Sequence, residues 1–241
     1  MNILSIGNSF SQDAQRYLHR IAKADGVSLD TFNLYIGGCD LETHYQNMLG
    51  DKKAYTLEMN GQSTGFMVSL KEALLNRAWD VVTLQQVSGK APLYETYCPY
   101  LEKLAEYVRL CAPKAKVVIH KTWAYEKDSE RLTKELGYKH HSEMFWDVDK
   151  AYNKAAKEIN ADFCIPSGEV FEKLIENGIE KIHRDTFHAT FGIGRYALGL
   201  LWYAILTGKD VQNNTFCDFD EEIAESDVEI VKKSVMQVYN K

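Results

Sequence analysis

Short apolar runs alternate with longer amphipathic stretches along most of the chain. Strands that are covered on both faces read as continuous apolar runs, and five such runs predict strands: Asn2–Ile6, Leu29–Ile36, Val81–Gln85, Lys116–Lys121 and Asp162–Ile165. Apolar residues at helical spacing predict helices over Gln12–Ala24, Phe66–Arg77, Tyr100–Cys111, Met144–Asn160, Gly168–Asn177, Gly192–Leu206 and Glu221–Tyr239. Strands that alternate with helices predict βαβ units, a parallel sheet and an α/β fold in three layers, an α/β/α sandwich.

Two segments depart from this alternation. Tyr55–Met59 and Thr64–Val68 flank Asn60-Gly61, a dipeptide typical of tight hairpin turns, which predicts a small hairpin-like insertion near residues 55–68. Ala124–Lys139 is charged and lacks strand character, so we expect a long loop with some helix over the site. No repeat and no linker rich in Pro, Gly or Ser divides the chain, and a single domain over residues 1–241 is predicted.

The composition narrows the range of functions. The 241 residues are 45% hydrophobic and 26% charged, as in ordinary globular domains, and the net charge is −6. An acidic chain without a basic stripe is a poor candidate for a nucleic-acid surface, and the same charge favours a substrate that is not strongly anionic. The 5 cysteines are scattered without a C-x-x-C pair, which predicts reduced thiols rather than a disulfide framework or a zinc site.

Neither a membrane span nor a targeting segment is predicted. The longest apolar stretch, Tyr196–Leu206, is too short to cross a bilayer. The chain does not open with a basic segment followed by an apolar one, as a signal peptide does. We therefore expect no membrane association and a cytoplasmic location, unless a leader has been removed, while the oligomeric state stays open.

The turn Gly7-Asn8-Ser9-Phe10-Ser11 joins the first predicted strand to the first predicted helix. A serine there lies at the carboxyl edge of the sheet, where ligands of α/β proteins bind, and beside the free N–H groups of a helix N-terminus. Both features suit a nucleophile whose reaction develops negative charge on oxygen. Ser9 alone also has a simpler interpretation, because a serine after a strand commonly caps the next helix.

A base and an orienting acid occur far along the chain, in Asp185-Thr186-Phe187-His188. Serine becomes a nucleophile when an imidazole removes its proton, and a carboxylate fixes the tautomer of that imidazole. The oxyanion also needs fixed donors, and Gly38, Gln85 and Gln86 follow predicted strands at the same edge of the sheet. Only one of the two glutamines can face the site, because successive strand residues point to opposite sides.

These residues together resemble the SGNH hydrolases, also called GDSL-type esterases and lipases. The first motif of that family matches Ile6-Gly7-Asn8-Ser9-Phe10, with Gly-Asn-Ser-Phe in place of Gly-Asp-Ser, as in a bacterial branch of the family. A glycine after the second strand matches Gly38, the Asp-x-x-His motif matches Asp185 and His188, and Trp79–Ser88 is similar to the third block of that branch. The resemblance covers nearly the whole chain and implies the SGNH hydrolase fold, with a flavodoxin-like five-stranded parallel sheet.

The resemblance implies a serine ester hydrolase in which Ser9 is the nucleophile, His188 the base and Asp185 the orienting acid, without a cofactor or metal. The backbone N–H groups of Ser9 and Gly38 are the implied oxyanion donors. The family's third donor is an asparagine in a Gly-x-Asn-Asp block, and this chain lacks that block. Gln85 is the predicted substitute because a carboxamide supplies the same N–H donor on a longer arm, and Gln86 is the fallback.

The expected substrate is a small-molecule or carbohydrate ester, such as an O-acetyl sugar, by analogy with the family. Trp123 and Tyr125 follow the fourth predicted strand, where they either stack on a sugar ring or pack beneath the loop. A non-catalytic carbohydrate-binding domain that keeps the fold is one alternative. A flavodoxin-like cofactor binder is another, although the first turn has neither a phosphate-loop lysine nor a G-x-G-x-x-G motif.

Overall fold

A seven-stranded mixed sheet forms the centre of the protein. The structure is a computed structural model that describes all residues, 1–241. The strands are β1 (Asn2–Gly7), β2 (Asp30–Tyr35), β3 (Tyr55–Met59), β4 (Gln62–Val68), β5 (Val81–Leu84), β6 (Lys116–Lys121) and β7 (Phe163–Pro166). The helices are α1 (Ser9–Gln15), α2 (Leu18–Ala24), α3 (Leu41–Leu49), α4 (Leu70–Leu75), α5 (Tyr100–Cys111), α6 (His141–Glu158), α7 (Ser167–Glu176), α8 (Ile193–Thr207) and α9 (Glu225–Tyr239).

The strands are arranged in the order β4-β3-β2-β1-β5-β6-β7. Strands β2, β1, β5, β6 and β7 run parallel to one another, which confirms the predicted α/β class and the flavodoxin-like parallel sheet. The prediction of five strands in the sheet was too low, because the β3–β4 hairpin adds two antiparallel strands at one edge. Its turn has positive φ at Asn60 (52°) and Gly61 (77°), as a hairpin turn of this kind requires.

Helices cover both faces of the sheet. On one face α3 packs against α4 and α5, and α6 packs on β6. On the other face α8 contacts α1, α2, α7 and α9, and its residues from Gly194 to Ala204 are all buried. This arrangement gives the three layers that the sequence pattern predicts. No helix combines the length and the apolar character that a bilayer span needs.

Several element boundaries differ from the predictions for local reasons. The helix predicted at Gln12–Ala24 begins earlier, at Ser9, and is divided into α1 and α2. The helix predicted at Phe66–Arg77 is shorter, because Phe66 still belongs to β4 and α4 begins only after its cap residue Ser69. The Ser69 side chain accepts the N–H of Glu72 at 3.2 Å, and the Glu72 side chain accepts the N–H of Ser69 at 2.9 Å. Helix α3, which the pattern did not predict, begins after the cap residue Asp40.

The sheet topology fixes where a site can form. Strand β1 lies between β2 and β5, so the chain leaves β1 toward one side of the sheet and later returns to its other side. The loops that follow these three strands therefore diverge above the carboxyl end of β1 and leave a crevice there. The turn that contains Ser9 opens into this crevice.

Candidate active site

Ser9 is the first residue of α1, and its neighbour Asn8 caps that helix. Asn8 Oδ1 accepts the N–H of Phe10 at 3.0 Å, and Asn8 N–H donates to Ser11 Oγ at 3.1 Å. The cap is thus Asn8 rather than Ser9, which leaves the Ser9 hydroxyl free for another partner. As the first helical residue, Ser9 also has a backbone N–H without a partner inside the helix.

The side chains of Ser9, His188 and Asp185 form a hydrogen-bonded row. Ser9 Oγ lies 2.8 Å from His188 Nε2, and His188 Nδ1 lies 2.7 Å from Asp185 Oδ2. Asp185 Oδ1 also accepts the backbone N–H of His188 at 2.9 Å. Because a carboxylate can only accept, the His188 proton is on Nδ1, and Nε2 is left to accept the Ser9 hydroxyl proton.

The carboxyl group of Asp185 is held in its ionised form. Partial burial acts to raise its pKa, but hydrogen bonds from the ring and the backbone N–H of His188 outweigh burial and lower the pKa below its usual value. An ionised Asp185 can stabilise a positive imidazolium at His188.

Aromatic residues hold the loop that carries His188. The indole N–H of Trp123 donates to the carbonyl of Phe187 at 2.8 Å, and the Phe187 and His188 rings lie 4.0 Å apart. Trp123 is 1% exposed and stacks on Phe10 at 4.0 Å, so of its two predicted placements it takes the one beneath the loop, and it is not among the residues that line the cavity. Tyr125, the other predicted aromatic residue, does line the cavity.

The turn after β2 borders the same crevice, because Gly37 and Gly38 line the cavity there. Gly38 has a positive φ of 63°, the left-handed region that favours glycine, and its N–H makes no hydrogen bond within the protein. The turn is closed by the Cys39 N–H, which donates to the carbonyl of Ile36 at 3.3 Å. Asn8 holds this turn against the first one, because its Nδ2 donates to the carbonyl of Cys39 at 3.0 Å.

The two glutamines after β5 are not among the residues that line the cavity. Gln85 is 2% exposed, and its Nε2 donates to Asn8 Oδ1 at 2.9 Å. Gln86 is 1% exposed, and its Oε1 accepts the N–H of Leu41 at 3.0 Å. The predicted third oxyanion donor is therefore not found at either glutamine, because both carboxamides are bound to the turns beside the site.

Gln85 belongs to a buried chain of hydrogen bonds behind the site. His120 Nδ1 lies 2.7 Å from Gln85 Oε1, His120 Nε2 lies 3.0 Å from Ser167 Oγ, and Trp202 Nε1 donates to Ser167 Oγ at 3.2 Å. Because Gln85 Oε1 can only accept, His120 is protonated on Nδ1 and accepts from Ser167. In this series of hydrogen bonds, each group donates to the next one in the direction from Trp202 to Asn8. Burial lowers the pKa of His120 to about 3, so the ring is neutral.

A cavity of about 450 Å³ opens above Ser9 and His188. Such a volume is within the range of small-molecule sites. Besides Ser9, Gly38, Tyr125 and His188, it is lined by ten residues that the sequence did not single out as cavity residues: Asn8, Gln12, Tyr35, Gly37, Val87, Ser88, Gly89, Arg131, Arg184 and Phe187.

The other histidines near the site have separate partners. His183 Nε2 lies 3.0 Å from the carbonyl oxygen of Ala124, and burial lowers the pKa of His183 to about 3. His141 lies 2.5 Å from both Glu172 and the carbonyl oxygen of Tyr125. No group of three or more His, Cys, Asp or Glu side chains is arranged to hold a metal ion.

The fold is shared with known hydrolases. A candidate SGNH hydrolase from Slackia heliotrinireducens is similar with a TM-score of 0.64 and 23% identity, over 86% of this chain and 98% of that chain. Axe2, an acetylxylan esterase from Geobacillus stearothermophilus, is similar with a TM-score of 0.53 and 12% identity, over 85% and 91% of the two chains. The protein thus has the fold of the SGNH hydrolases, as the sequence resemblance implied.

The chain belongs to the family described as a domain of unknown function, DUF4886, whose family model matches residues 2–237. A DUF4886 family protein from Bacteroides uniformis has a TM-score of 0.92 and 28% identity, over 99% of this chain and 94% of that chain. A search of curated proteins finds no match to the chain.

Proposed function

We propose that the protein is a serine ester hydrolase that acts through an acyl-Ser9 intermediate. The row of contacts from Ser9 Oγ to His188 Nε2 (2.8 Å) and from His188 Nδ1 to Asp185 Oδ2 (2.7 Å) is the observation that carries the proposal. Each contact is within hydrogen-bond reach, and the tautomer leaves Nε2 ready to accept the proton of the nucleophile.

The reaction follows from these positions. Ser9 Oγ attacks the ester carbonyl carbon while His188 Nε2 takes its proton, and the carbonyl oxygen becomes an oxyanion. When the tetrahedral intermediate collapses, the bond to the alcohol breaks and His188 returns the proton to the leaving alkoxide. A water molecule then attacks the acyl-serine, again with His188 as base. The acid leaves and the proton returns to Ser9 Oγ.

The oxyanion donors in this proposal are the backbone N–H groups of Ser9 and Gly38. Asn8 supports both, because it caps the helix that begins at Ser9 and donates to the carbonyl next to Gly38. In place of the predicted donor role, we assign Gln85 and Gln86 as positioning residues that bind the first turn and the start of α3.

The substrate that the cavity suits best is a small acyl ester of a polar alcohol, such as an O-acetylated carbohydrate. The cavity volume of about 450 Å³ suits a monosaccharide-sized ligand rather than a long lipid. Tyr125 and Phe187 supply aromatic walls, while Gln12, Tyr35 and Ser88 supply polar groups. The fold shared with an acetylxylan esterase is consistent with this class of substrate.

Hydrolysis of 4-nitrophenyl acetate and labelling with a fluorophosphonate test the proposal together. The wild-type protein should release acetate and become labelled at Ser9, as peptide mapping would show. Ser9→Ala should abolish the label and lower kcat by about 10⁴-fold or more, because the triad acts as a unit. Ser226→Ala is the control, since Ser226 is an exposed serine of α9 that does not line the cavity. Full activity of Ser9→Ala would refute the proposal. Sugar binding without turnover would instead favour a non-catalytic carbohydrate-binding domain.

A further inference from the structure

The cavity has a charge that is opposite to that of the protein as a whole. The chain has a net charge of −6. Of the 14 residues that line the cavity, two are arginines, Arg131 and Arg184, and none is an aspartate or glutamate. A cavity wall with cationic groups and no carboxylate attracts anions, even when the rest of the surface repels them.

Arg184 is one part of a hydrogen-bonded network of charged groups. Its Nη1 donates to both carboxylate oxygens of Asp13, at 3.0 and 2.9 Å, while its Nε and Nη2 donate no hydrogen bond within the protein. Asp13 also binds Arg195, and Arg195 and Arg16 share Asp220. The hydrogen-bonded network therefore contains three arginines and two aspartates, while the carboxylate of Asp185, next to Arg184 in the chain, also interacts with Arg184.

Arg131 is the first residue of a π-helical turn formed by Arg131–Glu135. Its guanidinium is 4.2 Å from the centre of the Phe187 ring, which holds it beside the loop of His188. Its one carboxylate partner is Glu135, at 3.5 Å and 63% exposed. Ion pairs this exposed contribute little, so a carboxylate on a ligand can replace Glu135.

Hydroxyl groups complete this wall. Ser88 Oγ and Tyr125 Oη are 2.9 Å apart, and both residues are buried beside the cavity. Only one of the two hydroxyl protons is needed for this hydrogen bond, so the other is free to donate to a ligand. A guanidinium and a free hydroxyl on one wall match the two acceptor oxygens of a carboxylate.

The nearby acidic groups do not cancel this charge within the cavity. Asp185 lies on the far side of the His188 ring, bound to Nδ1. Glu58 is behind Gln12 and Asn33, whose amides donate to it, and burial raises its pKa despite these bonds. Neither carboxyl group lines the cavity.

We propose that the ester hydrolysed at this site carries a carboxylate, which Arg131 binds. The inference rests on the proposed function and specifies its substrate class. It departs from the expectation of a substrate that is not strongly anionic, because the net charge of a chain says little about the charge of one cavity. The carboxylate can belong to the acyl group, as in a hemisuccinate, or to the alcohol, as in an O-acetylated uronic acid.

Two matched pairs of esters separate these sources. The first compares mono-4-nitrophenyl succinate with 4-nitrophenyl butyrate, and the second compares O-acetylated methyl glucuronoside with O-acetylated methyl glucoside. We expect the anionic member of one pair to have a kcat/KM about tenfold higher or more. That preference should weaken as salt is raised from about 0.05 to 0.5 M. A preference for the neutral ester in both pairs would overturn the inference.

Arg131→Gln assigns the preference to a residue. It should raise KM for the preferred anionic ester about tenfold more than it raises KM for the matched neutral ester. Lys134→Gln is the matched control, because Lys134 lies in the same turn, pairs with Glu130 at 2.5 Å and does not line the cavity. An equal loss on both esters in Arg131→Gln would mean that Arg131 only supports the loop, and the inference would fail.

A binding experiment separates this inference from the proposed function. The Ser9→Ala protein should bind methyl glucuronoside or succinate more tightly than methyl glucoside, as ligand-observed NMR can measure. Arg131→Gln should remove that difference. If this binding is found but no ester is hydrolysed, the charge recognition stands and the proposed function fails. If neutral esters are hydrolysed and no anion binds, the proposed function stands and this inference fails.

Discussion

The protein contains two Ser–His pairs of similar geometry in very different surroundings. At the cavity, Ser9 lies 2.8 Å from His188, which lies 2.7 Å from a carboxylate oxygen of Asp185. Behind it, Ser167 lies 3.0 Å from His120, which lies 2.7 Å from the amide oxygen of Gln85. In both pairs the histidine is protonated on Nδ1 and accepts at Nε2.

The difference between the pairs lies in charge and access. His188 has an ionised carboxylate behind it and a cavity in front of it, so it can gain a proton and pass it to a ligand. His120 is fully buried between neutral groups, and burial opposes its protonation and lowers its pKa to about 3. Similar distances thus support proton transfer in one place and fixed positioning in the other, and geometry alone does not distinguish the two.

The largest expected effect comes from the same substitution in the two histidines. Asparagine keeps a donor close to the position of Nδ1 and removes Nε2. His188→Asn should lower kcat for 4-nitrophenyl acetate by about 10⁴-fold, because the general base is lost. His120→Asn should lower kcat about tenfold or less, while the Ser167 hydroxyl, left without its acceptor, costs about 1–3 kcal/mol of unfolding free energy.

Ester kinetics and urea unfolding of both variants measure these effects. His120→Ser gives a second substitution in case His120→Asn folds poorly. Comparable losses of kcat in well-folded variants of both histidines would show that the buried pair takes part in the chemistry and that His120 is not only a positioning residue.

A smaller effect on rate is expected from Gln85→Met, which keeps the size of the side chain and removes its hydrogen bonds. Asn8 then loses one of the bonds that fix its carboxamide, and the N–H groups of Ser9 and Gly38 become less well aligned. We expect kcat to fall by about 10- to 100-fold with KM nearly unchanged, because Gln85 does not line the cavity.

Gln15→Met is the matched control for this change. Gln15 and Gln85 are both 2% exposed, and Gln15 binds Ser5 Oγ at 2.6 Å, away from the cavity. Both variants should lose stability, and only Gln85→Met should lose kcat. Equal kcat values in the two variants would show that Gln85 has no positioning role.

The smallest effect on rate is expected for the buried histidines, whose titration acts on stability instead. Burial lowers the pKa of His44 to about 4 and those of His120 and His183 to about 3, below about 6.5 in the unfolded chain. The unfolded state therefore binds more protons as the pH falls, and stability is lost progressively from about pH 6.5 down to about pH 3. Each of the three contributes up to about 1.4 kcal/mol per pH unit in that window.

Urea unfolding at several pH values tests this expectation. His120→Asn should make the acid dependence shallower than in the wild type, whereas the control His140→Asn, at an exposed position, should leave it unchanged. An unchanged slope in His120→Asn would mean that His120 does not contribute to acid unfolding.

The elements that the sequence predicted best are those with strong local signals. Strand β6 and helix α5 have the predicted bounds, because their apolar periodicity ends at clear turn residues. Helix α3 was not predicted, although Asp40 is a good cap, because the helix is short and mostly polar. The start of α4 was placed too early because the apolar end of β4 continues its pattern without a break.

For the candidate site, the sequence indicated residue types but could not assign their orientations. Asn8 was visible in the first motif, and its preference for helix N-caps was a signal that could have separated it from Ser9. Arg131 and Arg184 gave no signal of this kind. Each is one charged residue in a polar segment, and only the folded chain brings them to one cavity.

The sequence by itself determined the α/β class, the parallel sheet and the segments that meet at its carboxyl edge, because apolar periodicity and turn residues act locally. It also supplied Ser9, Asp185 and His188 as a candidate set. Only the tertiary structure decided that these three form one hydrogen-bonded row, that Gln85 faces Asn8 instead of the cavity, and that two arginines border the site. Those outcomes depend on contacts between residues up to 179 positions apart, and no local pattern in the chain encodes them.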